Sequence, residues 1–272
     1  MYLSFYENLS NYDSVLTSVP SKSNENRKEH FSQIHKVNAT VLCHFYNEEY
    51  LLPFWLKHHR KMFQHGIMID YHSTDRSIEI IKKLCPTWEI ITSRNGKFKA
   101  DMVDQEVMSI EEKISGYKIA LNVTEFLMAS TSFERIDDNK CFRIESYIII
   151  PGTHIEPKDE IEFISQIDKL AYQTERGYRT IHSYPNGKYA LGRHSSFHTT
   201  EEIASLFIVW CGFYPWNEYT IKRKLQIKDK IPDSDKTAGF GHQHLLDKYQ
   251  MEQEIKSLKE RNQISLLDLY IT

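Results

Sequence analysis

The chain has 272 residues, 40% of them hydrophobic, and a formal net charge of −3. That is enough apolar material to bury a full core in one domain with appendages, and the charge balance removes the electrostatic case for a nucleic-acid partner. The four cysteines (Cys43, Cys85, Cys141, Cys211) form no CxxC pair. This argues against a disulfide framework or a zinc–thiolate site and for reduced core thiols in a cytoplasm.

Residues 1–38 are polar and mixed, and Ser18–His30 has almost nothing to bury. The stretch reads as a mobile leader with one tethered element around Tyr2–Tyr6. It lacks the basic region and apolar core of a signal peptide. The longest apolar run, Ile203–Trp216, is shorter than the roughly 20 residues a membrane span needs. A cytoplasmic protein, peripheral at most to the inner membrane, is the expectation.

Ala39–His44 is the first expected strand. Asn47-Glu48-Glu49 then opens a helix in which Leu52, Trp55, His59 and Met62 share one face. Pro53 falls in the first turn, where its missing N–H costs little. Asn47 and Glu48 suit helix capping and dipole compensation, and they leave the strand at an end where ligands also bind.

The organising unit is Gly66–Leu84. Ile67-Met68-Ile69 is a short run typical of a strand buried on both faces. It ends at Asp70, passes through His72-Ser73-Thr74-Asp75 and re-emerges with Ile78, Ile80, Ile81 and Leu84 at helical spacing. Ser73, Thr74 or Asp75 can cap that helix. In open parallel sheets, loops of this kind lie at the strands' carboxyl ends, where ligands bind. A carboxylate there can accept from a base or sugar, and the helix N-terminus favours phosphate.

IMIDYHSTDRS resembles the second strand and following loop of glycosyltransferase family 2. ATVLCHFYNEEYLLPFWLKHH is similar to that family's first strand and helix, in particular a bacterial branch with Asn-Glu after the strand. The likeness covers residues 39–130 by motif, and more loosely residues up to about 244. It implies an α/β fold of the GT-A type, a Rossmann-like, mainly parallel sheet flanked by helices. It also implies binding of a nucleotide-sugar donor through Asn47, Glu48, Asp70, Ser73 and Asp75. Tyr71 departs from the pattern, standing where many members carry a second Asp.

Pro86 stops the second helix, and Trp88–Thr92 reads as a third strand. Asp101–Ser115 is amphipathic, with Val103, Val107, Ile110 and Ile114 on one face. Asp101, Asp104 and Glu106 read as its solvated side. Gly116 ends the helix, and Tyr117–Leu121 is a fourth strand running into Asn122-Val123-Thr124-Glu125. Three strand–helix alternations argue for a parallel sheet covered by helices. In the resembling family this position carries Asp-x-Asp, which binds a divalent metal that bridges the diphosphate. Here Asn122 and Thr124 stand at the two Asp positions, and only Glu125 is ionisable. Two alternatives follow. Mg²⁺ or Mn²⁺ binds through Glu125 and the substrate phosphates, or Arg, Lys or His takes its place.

Tyr178–Ser183 and Lys188–Phe197 flank Pro185-Asn186-Gly187, a hairpin signal. Arg179, His182, Arg193 and His194 lie on this expected hairpin and suit phosphate or metal recognition. The segment Gly-Arg-His-Ser at 192–195 is also similar to one in the bacterial branch. The resemblance implies that Arg193 contacts the diphosphate and that His194 completes the diphosphate or metal site. Thr200 is placed to cap a buried helix over Glu201–Trp210. Glu218–Lys230 is a helix with a basic face (Arg223, Lys224, Lys228) as well suited to solvent as to a ligand. Another helix starts at Pro232. His242 and His244 have the wrong spacing for paired helical metal ligands. Leu245–Leu258 is a charged helix, and Ile264–Ile271 is suited to docking on the core or on another subunit.

The division is a leader at 1–38, a catalytic domain at 39–198 and a helical extension at 199–272 packed on the same domain. The function implied is an inverting hexosyl transfer from a nucleotide-diphosphate-sugar to a glycan, lipid or other hydroxyl acceptor, with Glu125 and Asp235 as the candidate catalytic carboxylates. Two rivals remain: a non-catalytic nucleotide-sugar binder on the same fold, and a metal-dependent hydrolase built on His182, His194, His242 and His244. The sequence leaves the oligomeric state open.

Overall fold

A computed structural model describes residues 22–33, 35–152, 156–173, 177–241 and 244–271. The proposed element near Tyr2–Tyr6 and His242 lie outside the described residues. In chain order the elements are α1 (Lys22–Phe31), β1 (Thr40–Phe45), α2 (Leu52–Met62), β2 (His65–Asp70), α3 (Ser77–Leu84), β3 (Glu89–Thr92) and α4 (Ala100–Glu111). Then come β4 (Lys118–Asn122), β5 (Glu125–Ala129), β6 (Cys141–Ile149), α5 (Glu160–Ser165), β7 (Lys169–Tyr172), β8 (Arg179–His182) and β9 (Glu201–Trp210). The chain ends with α6 (Glu218–Ile227), α7 (Asp233–Thr237), α8 (Lys248–Lys259), β10 (Gln263–Ser265) and α9 (Leu266–Ile271).

The fold is mixed α/β. One sheet runs β10-β7-β6-β8-β4-β1-β2-β3, with β9 pairing β6 and β5 beside it. Its centre is parallel: β1 lies between β2 and β4, and β3 continues beyond β2. Adjacent strands lie about 4.8 Å apart, so the register brings three loops together. His44 is opposite Asn122, Phe45 opposite Asp70, and Asp70 opposite Thr92. The loops after β1, β2 and β4 therefore share the carboxyl edge.

Both faces of the parallel strands are covered, which is why they read as continuous apolar runs. Val41, Cys43 and Phe45 pack with Leu52 and Trp55 of α2 and Ile81 of α3. On the other side Leu42, Ile69 and Ala120 pack with Val103, Val107 and Ile110 of α4. Two adjacent histidines close the edge of β5. Leu127 donates its N–H to His59 Nε2 (3.1 Å), while His58 Nε2 lies 2.7 Å from the Leu127 carbonyl. The other nitrogen of His59 meets the Trp55 carbonyl at 3.0 Å.

Three expectations change. Residues 22–31 form a helix and not a mobile leader. Arg27 pairs with Asp168 and Lys28 with Glu162, each at 3.0 Å, and His30 and Phe31 pack edge-on against Tyr270 of α9. Glu201–Trp210 is a strand and not a helix. Its apolar second half is buried because it is sandwiched between β5 and β6. The segment after Asn186-Gly187 does not return along β8, which pairs instead with β4 and β6. Residues 188–197 form a separate loop, closed by a Tyr189–Ser196 bridge and turned by the short 3₁₀ segment Leu191–Arg193.

Candidate functional site

A cavity of about 310 Å³ opens at the carboxyl edge of the parallel strands. That is the low end of the ~300–1,000 Å³ range of small-molecule sites. Its floor is His44 from β1, Asn122 and Thr124 from the β4–β5 turn, and Asp104 from α4. One wall is Leu191–His194 and Arg179; the opposite wall is Glu48, Arg223, Lys224 and Trp210. Phe98, Ile231, Asp235 and Phe240 close the top.

Arg193 reaches from its wall onto the floor residues. It is 4% exposed and holds a left-handed backbone conformation, φ 59°. Such a conformation is uncommon for a residue with a Cβ, and the surrounding bonds must enforce it. Its Nη1 donates to Asp104 Oδ1 at 2.6 Å, and Nη2 donates to Asn122 Oδ1 at 3.1 Å and to His44 Nδ1 at 3.2 Å. Its Nε is buried with no hydrogen-bond partner. Gly192, at φ 79°, brings its N–H to Asp104 Oδ2 (2.6 Å). A Cβ on Gly192 would stand 2.8 Å from the His194 ring, so the loop needs glycine for both backbone and space. Burial, followed by the Arg193 charge, pushes the His44 imidazole well below its ordinary pKa. It is therefore neutral, as an acceptor from arginine must be.

Glu125 lies beneath this layer. Arg179 reaches it with Nε at 3.1 Å from both oxygens and Nη2 at 2.6 Å from Oε1. Asn122 adds its backbone N–H at 2.8 Å and its side-chain amide at 3.1 Å. Burial alone would raise the Glu125 carboxyl, but the Arg179 charge and these bonds outweigh it and hold it below the ordinary range. The remaining Arg179 nitrogen donates to the carbonyls of Gly192 (2.7 Å) and Arg193 (2.6 Å). Glu125 thus anchors, through one arginine, the loop that presents the other.

Thr124 accepts the Trp210 indole N–H at 3.0 Å. A Cβ on Gly212 would sit 2.3 Å from that indole ring, so only glycine leaves the ring this room. The Lys224 ammonium lies 4.3 Å from the centre of the Phe213 ring and 5.8 Å from that of Trp210. Beside it, Arg223 meets Glu48 Oε1 at 3.2 Å, and Glu48 Oε2 is buried without a hydrogen bond. Burial raises the Glu48 carboxyl despite that arginine, and it raises Asp104 likewise.

The roof is the chain from α6 through α7, stitched down over the strand tips. Gln226 donates to the Asn47 carbonyl (2.8 Å) and Lys230 Nζ to the Tyr71 carbonyl (3.1 Å), while Phe98 N–H donates to the Lys230 carbonyl (2.8 Å). Asp235 Oδ2 accepts from Ala100 N–H at 2.9 Å, at the start of α4.

The sequence-designated residues divide accordingly. Glu48, Asn122, Thr124, Arg193, His194 and Asp235 line the cavity. Glu125 is tied up just below it. Asn47, Asp70, Ser73 and Asp75 are not among the lining residues. Instead they knit the β1–α2 and β2–α3 loops together. Asn47 Oδ1 accepts from Thr74 N–H (2.7 Å), Ser73 Oγ from Asn47 N–H (3.0 Å), and Asp75 from Glu49 and Ser77 N–H (2.9 and 3.0 Å). Asp70 accepts from Ser73 N–H at 2.9 Å. Tyr71, standing where an Asp was anticipated, stacks on Phe98 at 4.5 Å and donates to Glu106 at 2.8 Å. Sequence reasoning did not single out His44 or Asp104. Asp104 belongs with the apolar stripe, adjacent to Val103 and three residues before Val107, and that placement was its one signal. His182 is elsewhere, near the start of β4 opposite Lys118, buried with Tyr189 and Glu111.

A divalent metal would need oxygen donors at the Asn122–Glu125 turn. The Asn122 oxygen holds Arg193, the Thr124 hydroxyl holds Trp210, and both Glu125 oxygens hold Arg179 and Asn122. These donors do not fit a metal ion. Among the described residues no group of three His, Cys, Asp or Glu side chains is disposed to hold one.

No protein-family model and no curated protein matches the chain. The solved structures similar to it include two of S. aureus TarS. One aligns with a TM-score of 0.38 and 8% identity over 72% of this chain and 43% of that chain. The other, TarS 1–349, aligns with a TM-score of 0.37 and 10% identity over 72% of this chain and 65% of that chain. The chain therefore spans less than two thirds of either, and likeness at this level carries no functional argument. Among the described residues no helix is long and apolar enough to cross a membrane.

Proposed function

We propose that the chain is a GT-A-like glycosyltransferase that takes a nucleotide-sugar donor into this cavity and passes the sugar to a glycan or lipid-linked hydroxyl acceptor. One observation carries the reading: the Asn122–Glu125 turn, the counterpart of Asp-x-Asp by resemblance, forms the cavity floor where the parallel strands end and meets Arg193 there. A diphosphate leaving group needs fixed positive charge at that position, and aromatic Tyr46 and Phe98 line the same cavity and suit a base or sugar face.

Inversion also needs a carboxylate to take the acceptor's proton. Among the cavity carboxylates, Glu48 keeps an oxygen with no hydrogen bond, and burial raises its pKa towards the working range of a base. Asp235 serves better as the link between α7 and α4.

A second reading, donor binding without transfer, is favoured by the fact that Glu125 and Asp235 are both held by protein donors. A thermal-shift screen against UDP-, GDP-, dTDP- and CMP-sugars tests what the two readings share. One donor family should raise the melting temperature. A flat response to every nucleotide sugar would reject both.

A further inference from the structure

Resting on that reading, we infer that the leaving diphosphate is neutralised by two fixed side-chain cations, Arg193 and Lys224, with no divalent metal in the site. The two positions that would carry metal-binding aspartates line the same cavity as these cations, one in direct contact with Arg193. Asn122 Oδ1 accepts from Arg193 at 3.1 Å, and Thr124 is held by Trp210, whose ring lies 5.8 Å from the Lys224 ammonium. A metal would have to displace Arg193 from Asn122, Trp210 from Thr124, or Arg179 from Glu125. The last exchange would leave an arginine buried without its counter-charge, one of the larger costs in a protein interior.

The two cations are built into opposite walls of the cavity. Arg193 and Lys224 are 4% and 2% exposed and line the cavity. Arg193 is fixed through its two terminal nitrogens, and its Nε has no hydrogen-bond partner. A planar guanidinium held this way suits phosphate oxygens, and an ammonium over aromatic rings is a point charge of fixed position.

In the reaction the bond between the sugar's anomeric carbon and the phosphate oxygen breaks, and its electron pair stays on the diphosphate between Arg193 and Lys224. The acceptor oxygen forms the new bond to that carbon, and its proton passes to Glu48.

The test is calorimetric titration of the full chain with UDP, GDP and dTDP, in EDTA and again with Mn²⁺. One nucleoside diphosphate should bind equally well in both buffers. Lys224→Met, which keeps the stem against Phe213, should weaken that diphosphate roughly ten- to a hundredfold and leave the affinity for the bare nucleoside unchanged. Circular dichroism reports whether the variant is folded; if it is not, the comparison of buffers on the unmodified protein decides alone. Affinity that appears only with Mn²⁺ would overturn the inference and leave the transferase reading standing. So would a folded Lys224→Met with undiminished diphosphate affinity. Failure of all three diphosphates in both buffers would remove the inference, and together with a flat nucleotide-sugar screen it would remove the reading as well.

Discussion

Replacing Glu125 by Gln distinguishes an anchoring carboxylate from a catalytic one. Arg179 and Glu125 have side chains only 4% and 7% exposed, and three of the carboxylate's contacts come from Arg179. Glutamine removes the charge and turns an NH₂ towards nitrogens that are already donors. Arg179 then keeps the carbonyls of Gly192 and Arg193 and a single neutral amide oxygen in place of its counter-charge. Breaking a buried pair from one side costs about 3–5 kcal/mol. At roughly 2–4 °C per kcal/mol for a chain of this size, the melting temperature should fall by about 6–20 °C. Glu125→Asp keeps the charge and should recover part of the loss. Because Arg179 also holds the Gly192–Arg193 carbonyls, nucleotide affinity should fall together with stability. A Glu125→Gln protein that melts like the parent, binds nucleotide normally and has lost only turnover would refute the anchoring argument.

Three further outcomes follow. Glu48→Gln should leave donor affinity close to that of the parent while turnover falls about 10²–10⁴-fold, the usual contribution of a general base; equal losses in both would make Glu48 a binding group. Gly212→Ala should destabilise by about 1–3 kcal/mol in denaturant titration, because the new Cβ would meet the Trp210 ring at 2.3 Å; an unchanged midpoint would show that the ring is free to move. The fold should weaken on acidification. Burial holds His59 well below its ordinary pKa and brings His58 down to about 4. The unfolded chain then binds more protons below pH 6.5, so stability is complete above that pH and declines as pH falls. At pH 5 the loss is about 2 kcal/mol for a buried histidine such as His59, and His59→Gln should flatten the slope between pH 7 and 5.

The parallel half of the sheet was legible because each signal there is local. The Ile67–Ile69 run, the Ser/Thr/Asp turn and the helical spacing of Val103, Val107 and Ile110 need no distant partner. What failed was decided elsewhere in the chain. Glu201–Trp210 is apolar on both sides, which suits a buried helix or a strand between two others, and the choice belongs to β5 and β6. The loop at 188–197 carries a sound hairpin turn, yet β4 and β6 occupy both edges of β8. The helix at 22–31 is tied down through Arg27 and Lys28 by Asp168 and Glu162, more than 130 positions away. The same holds for the site. Arg193 and His194 stood out with Arg179 and His182 as two Arg and two His on one expected hairpin, but Asp104 passed for a solvated side chain because its partner Arg193 is 89 residues distant. Asn47, Ser73 and Asp75 have the composition of ligand contacts and serve to join two loops. Loop-knitting and nucleotide binding draw on the same side chains.

The central claim is transfer of a sugar from a nucleotide donor, and release of the nucleotide measures it most directly. The full chain is incubated with the nucleotide sugar that raises its melting temperature, with and without glycan and lipid-linked acceptors, and the free nucleotide is quantified by chromatography. The account predicts nucleoside diphosphate accumulating over many turnovers, faster with the correct acceptor and slowed about 10²–10⁴-fold in Glu48→Gln. Donor that binds and is recovered intact with every acceptor would contradict it, and would make the cavity a place where nucleotide sugars are held and not spent.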